Sequence, residues 1–370
     1  MLQKTCHLFL SGLLFTALPI ASLADSVTVF SGGFTIPESI VPVPQGFGTV
    51  GGDLMIPDKG PNALYVLPAG GGAPVLFANG VSGNGAAFLP SSFGAFGGDL
   101  LITSTPSGGP GIVAVNGSGG QTVVPVPSSD SITGGVAVAP AGFGSVAGDA
   151  LIGGENGAGL DNGEVFALNP DGTVSNFASL GTGGSAGFLA PFAVGFAPVG
   201  FGSIGGDFLV ADGASGTMYA VDSSGNVSVF ANVAVPTLTG GAVAGLRQFA
   251  FAPAGFGSYG GDLFVSVSGS QFGGGTSGSV DVLNSSGDLV AVLLQGAVGS
   301  PFDPRGLYFA SNSQLLISDT DPSILSAPPS AFTAATPEPS TLLPLALGFA
   351  GVLAAARRAR KSQLALGSKV

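Results

Sequence analysis

Gly46-Phe47-Gly48-Thr49-Val50-Gly51-Gly52-Asp53-Leu54 is a phrase the chain repeats, and the repetition decides the fold. It recurs in recognisable form around Asp99, Asp149, Asp207 and Asp262, at intervals of 46, 50, 58 and 55 residues. A weaker sixth copy begins at Gln314-Leu315-Leu316-Ile317, 52 residues further on. A period near 50 residues is that of a repeat architecture in which each unit buries its apolar faces only against its neighbours. A second signature follows the first. It is clearest as Gly163 to Leu168, the turn Asn169-Pro170-Asp171-Gly172, then Thr173 to Phe177. Two short apolar runs joined by such a turn make a β-hairpin.

Each unit therefore holds four strand-sized runs, in the first unit Leu54–Ile56, Ala63–Leu67, Pro74–Ala78 and Ala86–Leu89. Four short strands per unit, repeated six times, predict an all-β, six-bladed β-propeller, with five or seven blades as the alternatives. The last unit has runs only at Leu315–Ile317 and Ile324–Leu325 before a Pro/Ala-rich stretch. Val27–Phe30 and Ile40–Val43 are expected to complete that blade from the N-terminus, closing the ring and removing sheet edges.

Gly134-Gly135-Val136-Ala137-Val138-Ala139-Pro140 leading into Leu151-Ile152, and Phe251-Ala252-Pro253 leading into Leu263-Phe264-Val265, resemble the core of NHL repeats and of gluconolactonase-like propellers. The resemblance implies the same fold. This chain inserts a Gly-Phe-Gly segment before the Gly-Asp and lacks the aromatic residues usual in the lactonases.

The two ends read as processing signals. Residues 1–24 fit a secretory signal peptide: Lys4, an apolar run from Leu8 to Ile20, and Ser22-Leu23-Ala24 as the cleavage site after Ala24. An uncleaved anchor is the alternative, for which the run is short. At the other end, Pro337-Glu338-Pro339 precedes an apolar stretch from Leu342 to Ala356 and the cluster Arg357-Arg358-Ala359-Arg360-Lys361. The stretch is about 15 residues, roughly 23 Å as a transmembrane helix, with the basic cluster on the cytoplasmic side.

That order closely resembles the PEP-CTERM sorting domain of Gram-negative bacteria. The resemblance implies export, a transient inner-membrane anchor, recognition by an exosortase, and cleavage near the motif. It also implies delivery to the cell surface or extracellular matrix, where extracellular polysaccharide is a candidate partner. An ordinary C-terminal anchor is the plainer alternative. The chain thus divides into signal peptide 1–24, propeller 25–326, Pro/Ala-rich linker 327–336, sorting segment 337–361 and a short tail 362–370.

Composition excludes several chemistries. The only Cys and the only His are Cys6 and His7, inside the leader. The mature chain therefore has no disulfide, thiolate nucleophile, Cys/His zinc site or Ser-His-Asp triad. Of nine Lys and Arg residues, only Lys59, Arg247 and Arg305 lie in the body, against about twenty acids. So few cations cannot neutralise a phosphate backbone, and nucleic acid is excluded as a partner.

The Gly-Gly-Asp residues read as turn formers, and Phe47, Phe93, Phe143, Phe201 and Phe256 as apolar plugs between blades. A less regular set stands five residues after some of the repeat Asp residues or after Gln314, at the expected mouth of the channel: Asp58, Asp212 and Asp319, with Glu155 beside Gly154. Together they are candidate oxygen ligands for Ca²⁺; as solvated strand-end turn residues they are ordinary. Two functions follow. One is a non-catalytic binding or structural module. The other is a metal-dependent, lactonase-like hydrolase at the acidic mouth.

Overall fold

A computed structural model describes residues 27–334, apart from 105–110, 128–129, 133, 157–161, 183–190, 236–244, 270–277 and 295–301. The signal peptide with Ala24, the motif Pro337-Glu338-Pro339, the apolar stretch and the cluster with Arg357, Arg358 and Arg360 lie outside the described residues. Among the described residues no helix is long and apolar enough to cross a membrane.

Six antiparallel sheets follow one another along the chain, giving the six-bladed propeller. Blade 1 runs from the axis outward as Val41–Pro42, Leu54–Asp58, Ala63–Leu67 and Val75–Asn79. Blade 4 repeats this with Pro191–Phe196, Phe208–Asp212, Thr217–Val221 and Val227–Asn232. The second and third strands are buried along nearly their whole length, whereas the outer strands alternate with exposed residues. Middle strands are covered by a neighbouring blade on both faces, so continuous apolar runs such as Phe208-Leu209-Val210 suit them.

The unit boundary read from the sequence is one strand out of phase. Ala86–Leu89 falls on the inner strand of blade 2, Gly83–Phe88, instead of closing blade 1. The cause is loop length. The long Gly-Phe-Gly connection lies inside the blade, between inner and second strands, while Asn79 leads into Gly83 by a few residues. Closure is corrected in the same way. Blade 6 supplies three strands of its own, Pro304–Ser311, Gln314–Asp319 and Ser323–Ala327, and takes one strand, Thr28–Gly32, from the N-terminus as its outer edge. Val41–Pro42 belongs to blade 1.

The six apolar clusters are the six blade-to-blade interfaces, and the repeated Phe plugs five of them. Phe143 sits edge-on to Phe196 of the next blade at 4.9 Å, as Phe47 does to Phe88 at 4.8 Å and Phe256 to Phe309 at 4.8 Å. In blades 1 to 4 the glycine after the plug touches the next blade's hairpin. A Cβ on Gly144 (φ +54°) would stand 2.0 Å from the Ser223 carbonyl, and one on Gly202 (φ +55°) 2.3 Å from that of Ser285. Only glycine tolerates both demands.

Blade 6 cannot offer that hairpin to blade 5, because its outer strand arrives from the other end of the chain. Pro329 replaces it against Gly257. The chain then runs through Pro329–Ala331 to Thr333–Ala334, which pairs with the outer strand of blade 5, Leu289–Leu294. The stretch read as linker from residue 327 is therefore folded onto the ring through residue 334. Phe332, buried against Phe264 and Phe256, holds it there.

Candidate functional site

The inner strands are equivalent in register. In every blade the residue three before Pro44, Pro90, Pro140, Pro198, Pro253 or Ser311 pairs with the residue two after the repeat Asp, or after Gln314. Three residues further back, six equivalent positions ring the axis at one mouth: Glu38, Asn84, Gly134, Phe192, Arg247 and Arg305. No two adjacent blades repeat the same residue here except for the arginines of blades 5 and 6.

Contacts link these positions around the ring. Lys59, at the end of the second strand of blade 1, donates from Nζ to Asn84 Oδ1 at 2.6 Å and lies 3.4 Å from Glu38 Oε1. Arg305 Nη1 lies 3.5 Å from the same oxygen, and its Nη2 is 3.4 Å from Asp303 Oδ2. The Arg247 guanidinium stacks on the Phe192 ring, 4.6 Å from the centroid, in cation–π geometry. Arg305, Glu38 and Asp303 are almost fully buried, while the Lys59 side chain is 40% exposed. Burial alone would raise the Glu38 carboxyl, but Arg305, Lys59 and Arg247 outweigh it and hold it below the ordinary range. Burial and the like charge of Arg305 push Arg247 down to about 9.

Hydroxyls behind the ring lock its backbone. Ser318 Oγ donates to the Glu38 carbonyl at 2.7 Å and accepts from Gly306 N at 2.6 Å, joining the last blade to the first. Ser266 does the same between blades 5 and 6, donating to the Arg305 carbonyl at 2.6 Å, and Thr103 between blades 2 and 3, donating to the Gly134 carbonyl. Three of the six blade junctions are thus tied at the ring by buried hydroxyls.

The four acids singled out from the sequence stand at the ends of second strands, one strand away from the axis. Asp58 accepts from the backbone N–H groups of Thr35, Ile36 and Gly60 at 2.8, 2.7 and 3.2 Å. Asp212 accepts from Ala214 N, Ser215 N and the Ser215 hydroxyl. Asp319 accepts from Asp303 N and Asp321 N at 3.0 and 3.2 Å, and burial raises its carboxyl to about 6. Asp212 serves its own turn, while Asp58 and Asp319 also tie their strand ends to the segment leading into the neighbouring inner strand. Glu155 and Asp212 alone act on each other: burial first, then the Asp212 charge, raises Glu155 to about 7. Among the described residues no three acidic side chains form a group able to hold one ion. The expected four-acid calcium set is therefore not assembled; Asp58, Asp212 and Asp319 are each engaged by backbone N–H groups instead.

The ring residues escaped the sequence reading because the inner strand was assigned to the wrong blade. One signal was available: the only three cations of the body all meet at Glu38. Of the repeat acids, Asp53 accepts from Ala69 N, and all five share a backbone role, as in Val43 N to Asp53 O and Ala139 N to Asp149 O.

No family model and no curated relative matches the chain. Solved structures do. A gluconolactonase from Xanthomonas campestris aligns at a TM-score of 0.54 and 16% identity, covering 83% of this chain and 92% of the other. A calcium-binding protein, regucalcin, from Agrobacterium tumefaciens gives 0.50 and 15%, over 81% and 94%. A chain of a nidogen–laminin complex gives 0.51 and 14%, over 77% and 92%. The likeness is one of fold. One fold can carry unrelated functions, so activity has to be argued from the mouth.

Proposed function

We propose that this chain is an exported propeller, sorted through its C-terminal segment to the cell surface or matrix, where it acts as a non-catalytic binding or structural module. One observation carries the reading: the ring is complete at Ala334, three residues ahead of Pro337, so cleavage at the motif would leave every blade and the strap on blade 5 in place. The mouth supports it. Its charged groups are engaged in ion pairs and stacking.

The test is localisation in a Gram-negative host that carries an exosortase. The intact chain is expected in the surface or matrix fraction, shortened at its C-terminus. Pro337→Ala with Glu338→Ala should leave it full-length in the inner membrane. Equal surface delivery of both would refute sorting by the motif.

A hydrolase reading retains one support, Glu155 raised to about 7 beside Asp212, on a fold shared with the gluconolactonase. A lactone screen with added Ca²⁺ or Mn²⁺ decides it. Turnover abolished by both a chelator and Glu155→Gln would establish catalysis.

A further inference from the structure

The mouth that carries the Gly-Phe-Gly loops holds a cavity of about 710 Å³ between the loops of blades 1 and 2, walled by Phe47, Phe88, Leu89 and Val138. Sites for small molecules occupy about 300–1,000 Å³. Two departures from the repeat place it here. In blades 2, 4, 5 and 6 the residue pairing with the one after the repeat Asp, or after Gln314, is Phe88, Phe196, Phe251 or Phe309. In blade 3 it is Val138, whose shorter side chain leaves open what a Phe would fill. The residue after the loop's Pro is Gln45 in blade 1 and Ser91 in blade 2, against Ala141, Val199 and Ala254 in blades 3 to 5. Gln45 and Ser91 line the cavity together with Asp99. Among the described residues, none of these three side chains has a hydrogen-bond partner. Asp99 is half-buried, and that burial pushes its carboxyl above the ordinary range. The surrounding face is acidic throughout. It carries the five repeat Asp residues and, in its hairpin turns, Asp171, Asp222 and Asp288. Lys59, Arg247 and Arg305, the cations of the described residues, all stand at the other mouth.

We propose that this cavity binds a small organic ammonium ion, its charged head on Asp99 and its apolar body against Phe88 and Val138. Charge complementarity selects the sign. An anion would be repelled by Asp99 and the acids around it, and a neutral ligand would desolvate the carboxylate without giving it a counter-charge. A primary ammonium fits the polar wall. Its three N–H donors match three open acceptors: the Asp99 carboxylate, the Ser91 hydroxyl and the Gln45 amide oxygen. An apolar body fits the rest, and the Phe88 ring can also face the cation. The volume, enclosed between two adjacent loops, selects a free small molecule over a protein surface. This site lies across the disc from the ring of Glu38 and Arg305. The inference goes beyond the reading of the chain as a sorted module and does not depend on sorting, so its failure and a sorting failure are separately visible.

The experiment is calorimetric titration of the full-length chain in neutral detergent with 2-phenylethylammonium, 2-phenylethanol, 3-phenylpropanoate and ethylammonium. The first is expected to bind at least tenfold more tightly than each of the others, which lack its charge, reverse it or lack its body. Asp99→Asn should weaken 2-phenylethylammonium at least tenfold and leave 2-phenylethanol unchanged, with far-UV circular dichroism close to the parent. Asp262→Asn, the same repeat position in blade 5, should bind like the parent. Val138→Phe, which restores the side chain of the other blades, should weaken both phenyl ligands. If the Asp99 or Val138 variant does not fold, the side-chain amide resonances of Gln45 in the unaltered chain decide. They should shift with 2-phenylethylammonium and not with 3-phenylpropanoate. Equal affinity for the ammonium and the alcohol, unchanged binding by a folded Asp99→Asn, equal losses in Asp99→Asn and Asp262→Asn, or unmoved Gln45 resonances would each overturn the proposal. So would oligolysine binding more tightly than 2-phenylethylammonium, which would assign the whole acidic face to a basic polymer.

Discussion

The two mouths of this propeller are built on opposite plans. On one, the Gly-Phe-Gly loops of blades 1 to 5 are near copies, each with a buried Phe between blades and a glycine pressed on the next hairpin or, in blade 5, on Pro329. On the other, six positions equivalent in register carry Glu38, Asn84, Gly134, Phe192, Arg247 and Arg305. Repetition marks what every blade needs to stand beside its neighbour. Departure from the repeat at equivalent positions marks what the molecule as a whole does once.

The comparison is sharpest where a plug is removed. Phe256 is fully buried and meets Phe264, Phe309 and Phe332. Phe256→Ala should cost about 3–5 kcal/mol by lost transfer energy and cavity formation, read from denaturant unfolding. A loss of only ~0.5 kcal/mol would mean that the repeated Phe is not what joins the blades.

A smaller effect is expected at the glycine behind a plug. Gly202→Ala would force a side chain into a left-handed backbone and against the Ser285 carbonyl, costing about 1–3 kcal/mol. The same change at Gly98 also meets a left-handed backbone (φ +85°), but nothing lies within 4 Å of the new Cβ. It should be the milder of the two. Equal losses would place the whole cost in the backbone angle and none in the contact between blades.

The mildest expectation concerns pH and the opposite mouth. Glu155 titrates at about 7 in the folded chain, above its unfolded value, so the native state binds the extra proton between roughly pH 4.5 and 7. That contribution is present at low pH and lost as pH rises through 7. The denaturant midpoint of the parent should fall from pH 5 to pH 8 more steeply than that of Glu155→Gln. Glu38, held low by its cations, acts in the other sense and loses its contribution only as pH falls through its own lowered value. Parallel pH profiles for the parent and Glu155→Gln would show that Glu155 is not buried as described.

Blade number, the all-β class and the plugging Phe residues were legible in the sequence, because a repeat writes each contact five or six times over. The strand-end positions of Asp58, Asp212 and Asp319 were legible as well, but not their burial, nor that Asp58 and Asp319 accept from backbone 16 to 23 residues away. The ring was not, since Glu38 and Arg305 stand 267 residues apart and meet only when the ring closes.

What the sequence determined by itself is everything that depends on local spacing: the period, the hairpin turns, the absence of Cys and His from the body, and the three-part order at the C-terminus. Tertiary structure alone decided the rest. Which strand opens a blade depends on hydrogen-bond pairing across a loop whose length hides it. Closure by Thr28–Gly32 and the strap at Thr333–Ala334 depend on which edges remain unpaired once five blades are built. The gathering of Lys59, Arg247 and Arg305 around Glu38 depends on the curvature of the whole ring. Charges spread along the chain become neighbours only because six strands converge on one axis.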